Sequence, residues 1–135
     1  QQAGDAFRSM LAGVSAALPA LSRAMELQRR AARVGFDWPN VEPVLEKVTE
    51  EAAEVVAAPD PEARAAEFGD LLFSLVNLAR WYEIDAESAL RQASTRFVRR
   101  FETIERHAHA HGLKVEEMTL EQMDALWNEA KDGEA

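Results

Sequence analysis

A chain of 135 residues is long enough for one domain with a sizeable core, and 47% hydrophobic with 29% charged residues is ordinary globular composition. A formal net charge of −9 argues against a nucleic-acid-binding surface, which is usually basic. No cysteine is present, which excludes a disulfide framework, a zinc–thiolate site and a thiol nucleophile.

No apolar run approaches the ~18 residues of a membrane span, and no signal peptide is evident. The expected compartment is the cytoplasm, with no membrane or nucleic-acid partner. The first residue is Gln1 rather than Met, so the sequence reads as a fragment or processed form of a longer protein. One domain is expected over residues 1–135, with residues 1–12 as a linker remnant.

Glycine and proline are sparse and no alternating β-branched pattern occurs, so the predicted elements are all helical. Residues 1–18 are small and Ala-rich, with a turn or two of helix ending near Gly13. Pro19 opens a helix to about Val34, its apolar face formed by Leu21, Ala24, Leu27 and Ala31, with Gly35 as the stop signal. Asp37-Trp38-Pro39-Asn40 is a turn, and Asn40 caps a helix from Val41 to about Ala57. Pro59-Asp60-Pro61 breaks that helix and starts another, which runs to about Tyr82. Asp85 caps a long helix from Ala86 to about His109, ended near Gly112. Thr119 opens a last helix with a capping box to Gln122. An antiparallel bundle of four to five helices follows.

Two acidic clusters interrupt this pattern: Glu50-Glu51-Ala52-Ala53-Glu54 and Glu67-Phe68-Gly69-Asp70. Glu51 and Glu54 share a helix face, as do Glu67 and Asp70. From Ala66 to Ala79 the third helix is apolar except for Glu67, Asp70, Ser74 and Asn77, one polar stripe on a helix otherwise fit for burial. The short Pro-rich connection sets the two acidic helices antiparallel, and Glu54 and Glu67 therefore face each other. Four converging carboxylates beside apolar residues repel and lose hydration unless cations neutralise them. Such an oxygen cage suits Mg²⁺, with Mn²⁺ as a substitute, and Mg²⁺ characteristically shares its coordination with phosphate oxygens.

A di-iron carboxylate site would require Glu-x-x-His pairs. No histidine lies near either cluster; His107, His109 and His111 form a helix end instead. Arg96, Arg99 and Arg100 share a helix with Phe97, Phe101 and Ile104, giving a basic face that is either a set of surface ion pairs or a phosphate-binding group. Lys47, one turn before Glu51, fits the same role. Asn77 reads equally as a satisfied core amide or a substrate hydrogen-bonder. Trp38, Trp81 and Trp127 fit a core, with Trp127 the best placed of the three to stack on a base.

Glu50-Glu51-x-x-Glu54, twelve residues, then Glu67-x-x-Asp70 resembles the signature of the all-α nucleotide pyrophosphohydrolases. The flanks resemble more narrowly the C-terminal catalytic domain of MazG proteins. They include Leu18-Pro19-Ala20-Leu21, Leu27-Gln28, Val34-Gly35-Phe36-Asp37-Trp38, Gly69-Asp70-Leu71-Leu72-Phe73, Val76-Asn77-Leu78-Ala79-Arg80 and Arg99-Arg100-Phe101. The likeness extends from about Gly13 to Lys131.

This resemblance implies Mg²⁺-dependent hydrolysis of nucleoside triphosphates to monophosphate and pyrophosphate by a homodimer, through water attack at the α-phosphorus. It implies Glu51, Glu54, Glu67 and Asp70 as metal ligands, and Glu50 as a motif acid that orients ligands or Lys47. Phosphate contacts fall to Lys47, Arg96 and Arg100, a substrate contact to Asn77, and the base to Trp127; Arg99, on the same basic face, is a further substrate-binding candidate. Arg96 departs from the family, where Lys is frequent; charge is kept but a point donor becomes a planar fork. Broad specificity and cleansing of the nucleotide pool are expected. The alternatives are a narrower enzyme for dUTP or damaged nucleotides, and a non-catalytic helical interaction domain.

Overall fold

Four helices open on a side chain that satisfies a free backbone N–H. Asn40 Oδ1 accepts from Glu42 N at 3.2 Å, Asp60 Oδ1 from Ala63 N at 2.8 Å, and Asp85 Oδ1 from Ser88 N at 3.2 Å. Thr119 Oγ1 accepts from Gln122 N at 3.1 Å, and the Gln122 side chain returns the bond to Thr119 N, completing a capping box. In the computed structural model, which describes residues 6–134, these caps start α2 (Val41–Ala57), α3 (Pro61–Trp81), α4 (Ala86–Ala110) and α5 (Leu120–Asp132). They follow α1 (Ala20–Arg33). The described residues contain no strand, and the fold class is all-α.

Differences from the sequence reading lie at the ends of α1 and in the segments before α1 and α5. Pro19 sits just outside α1 rather than in its first turn, and α1 stops at Arg33. Gly35 then takes φ +92°, which lets its N–H reach Ala32 O and that of Phe36 reach Ala31 O, each at 3.0 Å. Ahead of α1, Ser9 Oγ accepts from Leu11 N, and the backbone forms an isolated turn at Met10–Gly13 where a helical turn or two is expected. Of the expected linker remnant 1–12, residues 1–5 lie outside the described residues. A 3₁₀ turn at Val115–Glu117, unanticipated from sequence, precedes α5.

Two compact units divide the chain between Ala89 and Leu90, within α4. In the first, α3 packs against α2 and α1, with Met25, Val44 and Val76 buried. Arg64 fastens the α2–α3 connection: its Nε donates to Val55 O at 3.0 Å and Nη2 to Ala58 O at 2.8 Å. These are carbonyls that the end of α2 leaves without helical partners. The apolar length of α3 is not wholly covered. Phe68, Leu72 and Leu75, spaced as one helix face, stay exposed, as do Leu45 and Val56 on α2.

In the second unit Ile104, Ala108 and Met118 are buried beneath Phe101, Val115, Met123, Leu126 and Trp127. No helix among the described residues is long and apolar enough to cross a membrane. Replacing Asp60 by Ala removes the cap of α3 and is expected to lower stability by about 1 kcal/mol in denaturant unfolding, with an unchanged denaturant slope.

Candidate functional site

The packing of α2 on α3 brings the two acidic clusters together. Glu50, Glu51 and Glu54 offer carboxylate oxygens within 4.8 Å of one another, and so do Glu51, Glu67 and Asp70. Glu51 belongs to both groups and is 4% exposed, while Glu54 and Asp70 remain open to solvent. All five acids expected from sequence therefore lie in one place, arranged around a buried carboxylate.

Charge at this centre is under-compensated. Lys47 Nζ pairs with Glu51 Oε1 at 2.9 Å and with Glu50 Oε1 at 3.3 Å, and both carboxylates raise the lysine's pKa, Glu51 more strongly. Glu50 thus shares Lys47 with Glu51. Glu51 Oε2 and Glu67 Oε2 are buried without hydrogen-bond partners. Arg64, one turn before Glu67, could have neutralised it but spends its guanidinium on the α2 carbonyls. The Glu54 carboxylate opposite, followed by loss of hydration and the charge of Glu51, pushes the Glu67 carboxyl up to about 7.

Two buried, unpartnered carboxylate oxygens amid further carboxylates fit a hard divalent cation. The donor set is oxygen alone, which does not favour softer metals.

Lys47 also lines a cleft of about 530 Å³ in the first unit, so the cleft adjoins the acids. Its walls include Gln28, Trp38, Phe73, Asn77 and Arg80. Trp38, expected in the core, stands at this cleft and is 44% exposed. Gln28, present in the sequence pattern but given no role there, is buried; its Nε2 donates to Phe73 O at 2.9 Å, leaving Oε1 unpartnered. Asn77 Oδ1 accepts from Arg80 Nε at 2.9 Å. The Arg80 guanidinium grips Asp37 with two bonds, of 2.6 and 3.2 Å, and holds that carboxyl below its ordinary value. An arginine following an asparagine by three residues was the sequence signal for this network, but its partner Asp37 lies 43 residues away.

The remaining expected residues lie on the second unit. Arg96 and Arg100 are half-buried and Arg99 exposed on α4. Arg100 is bonded to both oxygens of Glu134, at 2.7 Å for the shortest contact, and its guanidinium lies 5.4 Å from the Trp127 ring centre. Trp127 packs against Phe97 in the apolar cluster of that unit.

The raised Glu67 value carries a pH signature. In the metal-free protein its stabilising contribution is present below its ordinary value of 4.5 and is lost as pH rises through about 7. A cation competes with that proton, so Mg²⁺ or Mn²⁺ affinity should fall about tenfold per pH unit below 7 and level off above it. Titration calorimetry at several pH values, in buffers of different ionisation heat, should show about one proton released per ion below pH 7.

The pattern of the MazG nucleotide pyrophosphohydrolase domain matches residues 40–110, more than half of the chain. Over 134 residues the chain is 44% identical to the nucleoside triphosphate pyrophosphohydrolase/pyrophosphatase MazG of Thermotoga maritima, covering 99% of this chain and 52% of that protein. It is 43% identical over 136 residues to the nucleoside triphosphate pyrophosphohydrolase of Escherichia coli K12, covering 97% of this chain and 52% of that protein. The uncharacterized protein YabN of Bacillus subtilis is 51% identical over 77 residues, 57% of this chain and 16% of YabN. The chain spans about half the length of the MazG relatives it matches. With the five motif acids gathered at one centre, these similarities show that the chain belongs to the MazG nucleotide pyrophosphohydrolase family.

Proposed function

We propose that this domain hydrolyses nucleoside triphosphates to nucleoside monophosphate and pyrophosphate, using Mg²⁺ held by Glu51, Glu54, Glu67 and Asp70, with Mn²⁺ as a substitute. The observation that carries the reading is the buried Glu51 carboxylate shared by two acidic groups, with Glu51 Oε2 and Glu67 Oε2 lacking partners. The similarity to the T. maritima and E. coli pyrophosphohydrolases supports the same activity.

A divalent cation, when bound, supplies Lewis-acid polarisation of phosphate oxygens and lowers the pKa of a bound water. The chain's own residues do the rest. Water attacks the α-phosphorus, the bond to the α–β bridging oxygen breaks, and pyrophosphate leaves. The ionised carboxylates of the group accept the proton that the water gives up. Lys47, held by Glu50 and Glu51 beside the cleft, is the phosphate-facing cation of the first unit.

The cleft receives the nucleoside, with Trp38 and Phe73 against the base and Asn77 within reach of it. This places the base with Trp38, where the sequence reading favours Trp127. The phosphate role of Arg96, Arg99 and Arg100 rests on their shared basic face, where Arg100 must first leave Glu134.

The functional form proposed is a homodimer. An exposed stripe of Phe68, Leu72 and Leu75, with Leu45 and Val56, is apolar surface that a second copy would cover. A cytoplasmic enzyme of broad specificity that cleanses the nucleotide pool completes the reading. Light scattering should give twice the chain mass of 15.0 kDa.

Replacing Glu54 by Gln should reduce Mg²⁺-dependent pyrophosphate release by at least about a thousandfold while the helical content stays intact. Equal release from wild type and variant would refute the assignment. A panel of the common triphosphates, dUTP and an oxidised purine nucleotide separates broad from narrow specificity.

A further inference from the structure

An amide side chain has two ends of opposite hydrogen-bonding character, and in apolar surroundings its orientation decides what a neighbour can be. Two amides line the cleft, and each has one end tied by a partner that can play only one role. Arg80 is donor-only, so the atom of Asn77 facing its Nε at 2.9 Å must be Oδ1, and the amino group Nδ2 is left for the cleft. The Phe73 carbonyl is acceptor-only, so the Gln28 atom facing it must be Nε2. Gln28 Oε1 then remains, buried and without a partner, on a residue 8% exposed.

Arg80 is itself held in place. Its Nη1 and Nη2 grip the two oxygens of Asp37, in the α1–α2 connection, and its guanidinium lies 5.8 Å from the Trp81 ring centre. Only 15% of its side chain is exposed. A bidentate pair fixes the plane of the fork and thus the direction in which Nε points. Nε is thereby aimed at Asn77 Oδ1, which accepts from it.

We propose that Arg80, anchored by Asp37, is a positioning residue for nucleotide recognition: it fixes Asn77 with Nδ2 as a donor toward the cleft, opposite in character to the acceptor Gln28 Oε1. The matching ligand offers an N–H to Gln28 and a lone pair to Asn77, a pairing that the hydrogen-bonding edge of a nucleobase presents and a bare polyphosphate does not. This rests on the proposed reading that the cleft receives the nucleoside. Arg80 touches no reacting atom, so its effect falls on binding of the nucleoside end alone.

The test compares wild type with Arg80→Lys and Asp37→Asn, each first shown by circular dichroism to melt as a folded helical protein. Lysine keeps the charge facing Asp37 but has no fork with which to hold Asn77 at the same time. KM for a nucleoside triphosphate should rise about tenfold in Arg80→Lys, with kcat changed less than about threefold. Inhibition by inorganic tripolyphosphate, which has phosphates but no base, should keep its wild-type constant. Asp37→Asn should shift KM in the same direction by a smaller factor.

An active wild type with an unchanged KM in Arg80→Lys overturns the proposal alone. A parallel rise in KM and in the tripolyphosphate constant also overturns it, because Arg80 then acts on the whole site. A wild type that releases no pyrophosphate overturns the hydrolase reading together with the proposal built on it.

Discussion

The rest of the structure depends on a repulsion that packing holds in place. α2 and α3 are pressed together by burial of Val44 and Val76 and by the Arg64 clamp across their connection, and this forces Glu51, Glu54, Glu67 and Asp70 into one small region. Carboxylates so placed would separate if the helices were free to move. They are not free, and the strain appears at Glu67, driven up to about 7 chiefly by the Glu54 carboxylate opposite. Arg64 sits one turn from Glu67 yet binds carbonyls, so the nearby cation reinforces the constraint rather than relieving it. Lys47 relieves it on one side only, at Glu51 Oε1, and leaves Glu51 Oε2 bare.

That imbalance ties fold to chemistry. A fully neutralised quartet would be an ordinary polar patch, and a fully buried one would take up protons and lose its affinity for cations. Here one carboxylate is buried, one half-buried, and two are open to solvent. A cation can enter from the open side and find prearranged oxygens at the closed side. The same Lys47 that balances Glu51 forms part of the cleft wall, so the acidic centre and the cleft share a residue. In the proposed reading, one short stretch of α2 sets both substrate position and metal position.

Much of this was legible in the sequence because the signals are local. Asn40, Asp60, Asp85 and Thr119 announce helix starts through side chains that reach only two or three residues onward. The convergence of the acids followed from a connection too short to do anything but fold α3 back on α2. What escaped reading is non-local. Trp38 belongs to a cleft because Phe73 and Asn77 arrive from α3, and Gln28 acquires its meaning from a carbonyl 45 residues away. The end of α3 at Trp81 lies within one residue of expectation, although it is Glu83, with φ +56°, that turns the chain there and not a glycine. The apolar stretch of α3 was read as fit for burial throughout, whereas among the described residues only Ser74 and Val76 of that helix are buried.

The central claim is that cation binding relieves carboxylate repulsion built into the α2–α3 packing, and thermal unfolding with and without metal measures it most directly. A cation that binds the folded state alone raises the midpoint in proportion to the logarithm of its concentration once above the dissociation constant. The account predicts a saturable onset and then a steady rise in midpoint with Mg²⁺ or Mn²⁺ at pH 8, abolished in Glu67→Gln, whose metal-free midpoint lies above that of wild type. A wild-type midpoint indifferent to both cations, or a Glu67→Gln protein no more stable than wild type without metal, would contradict it.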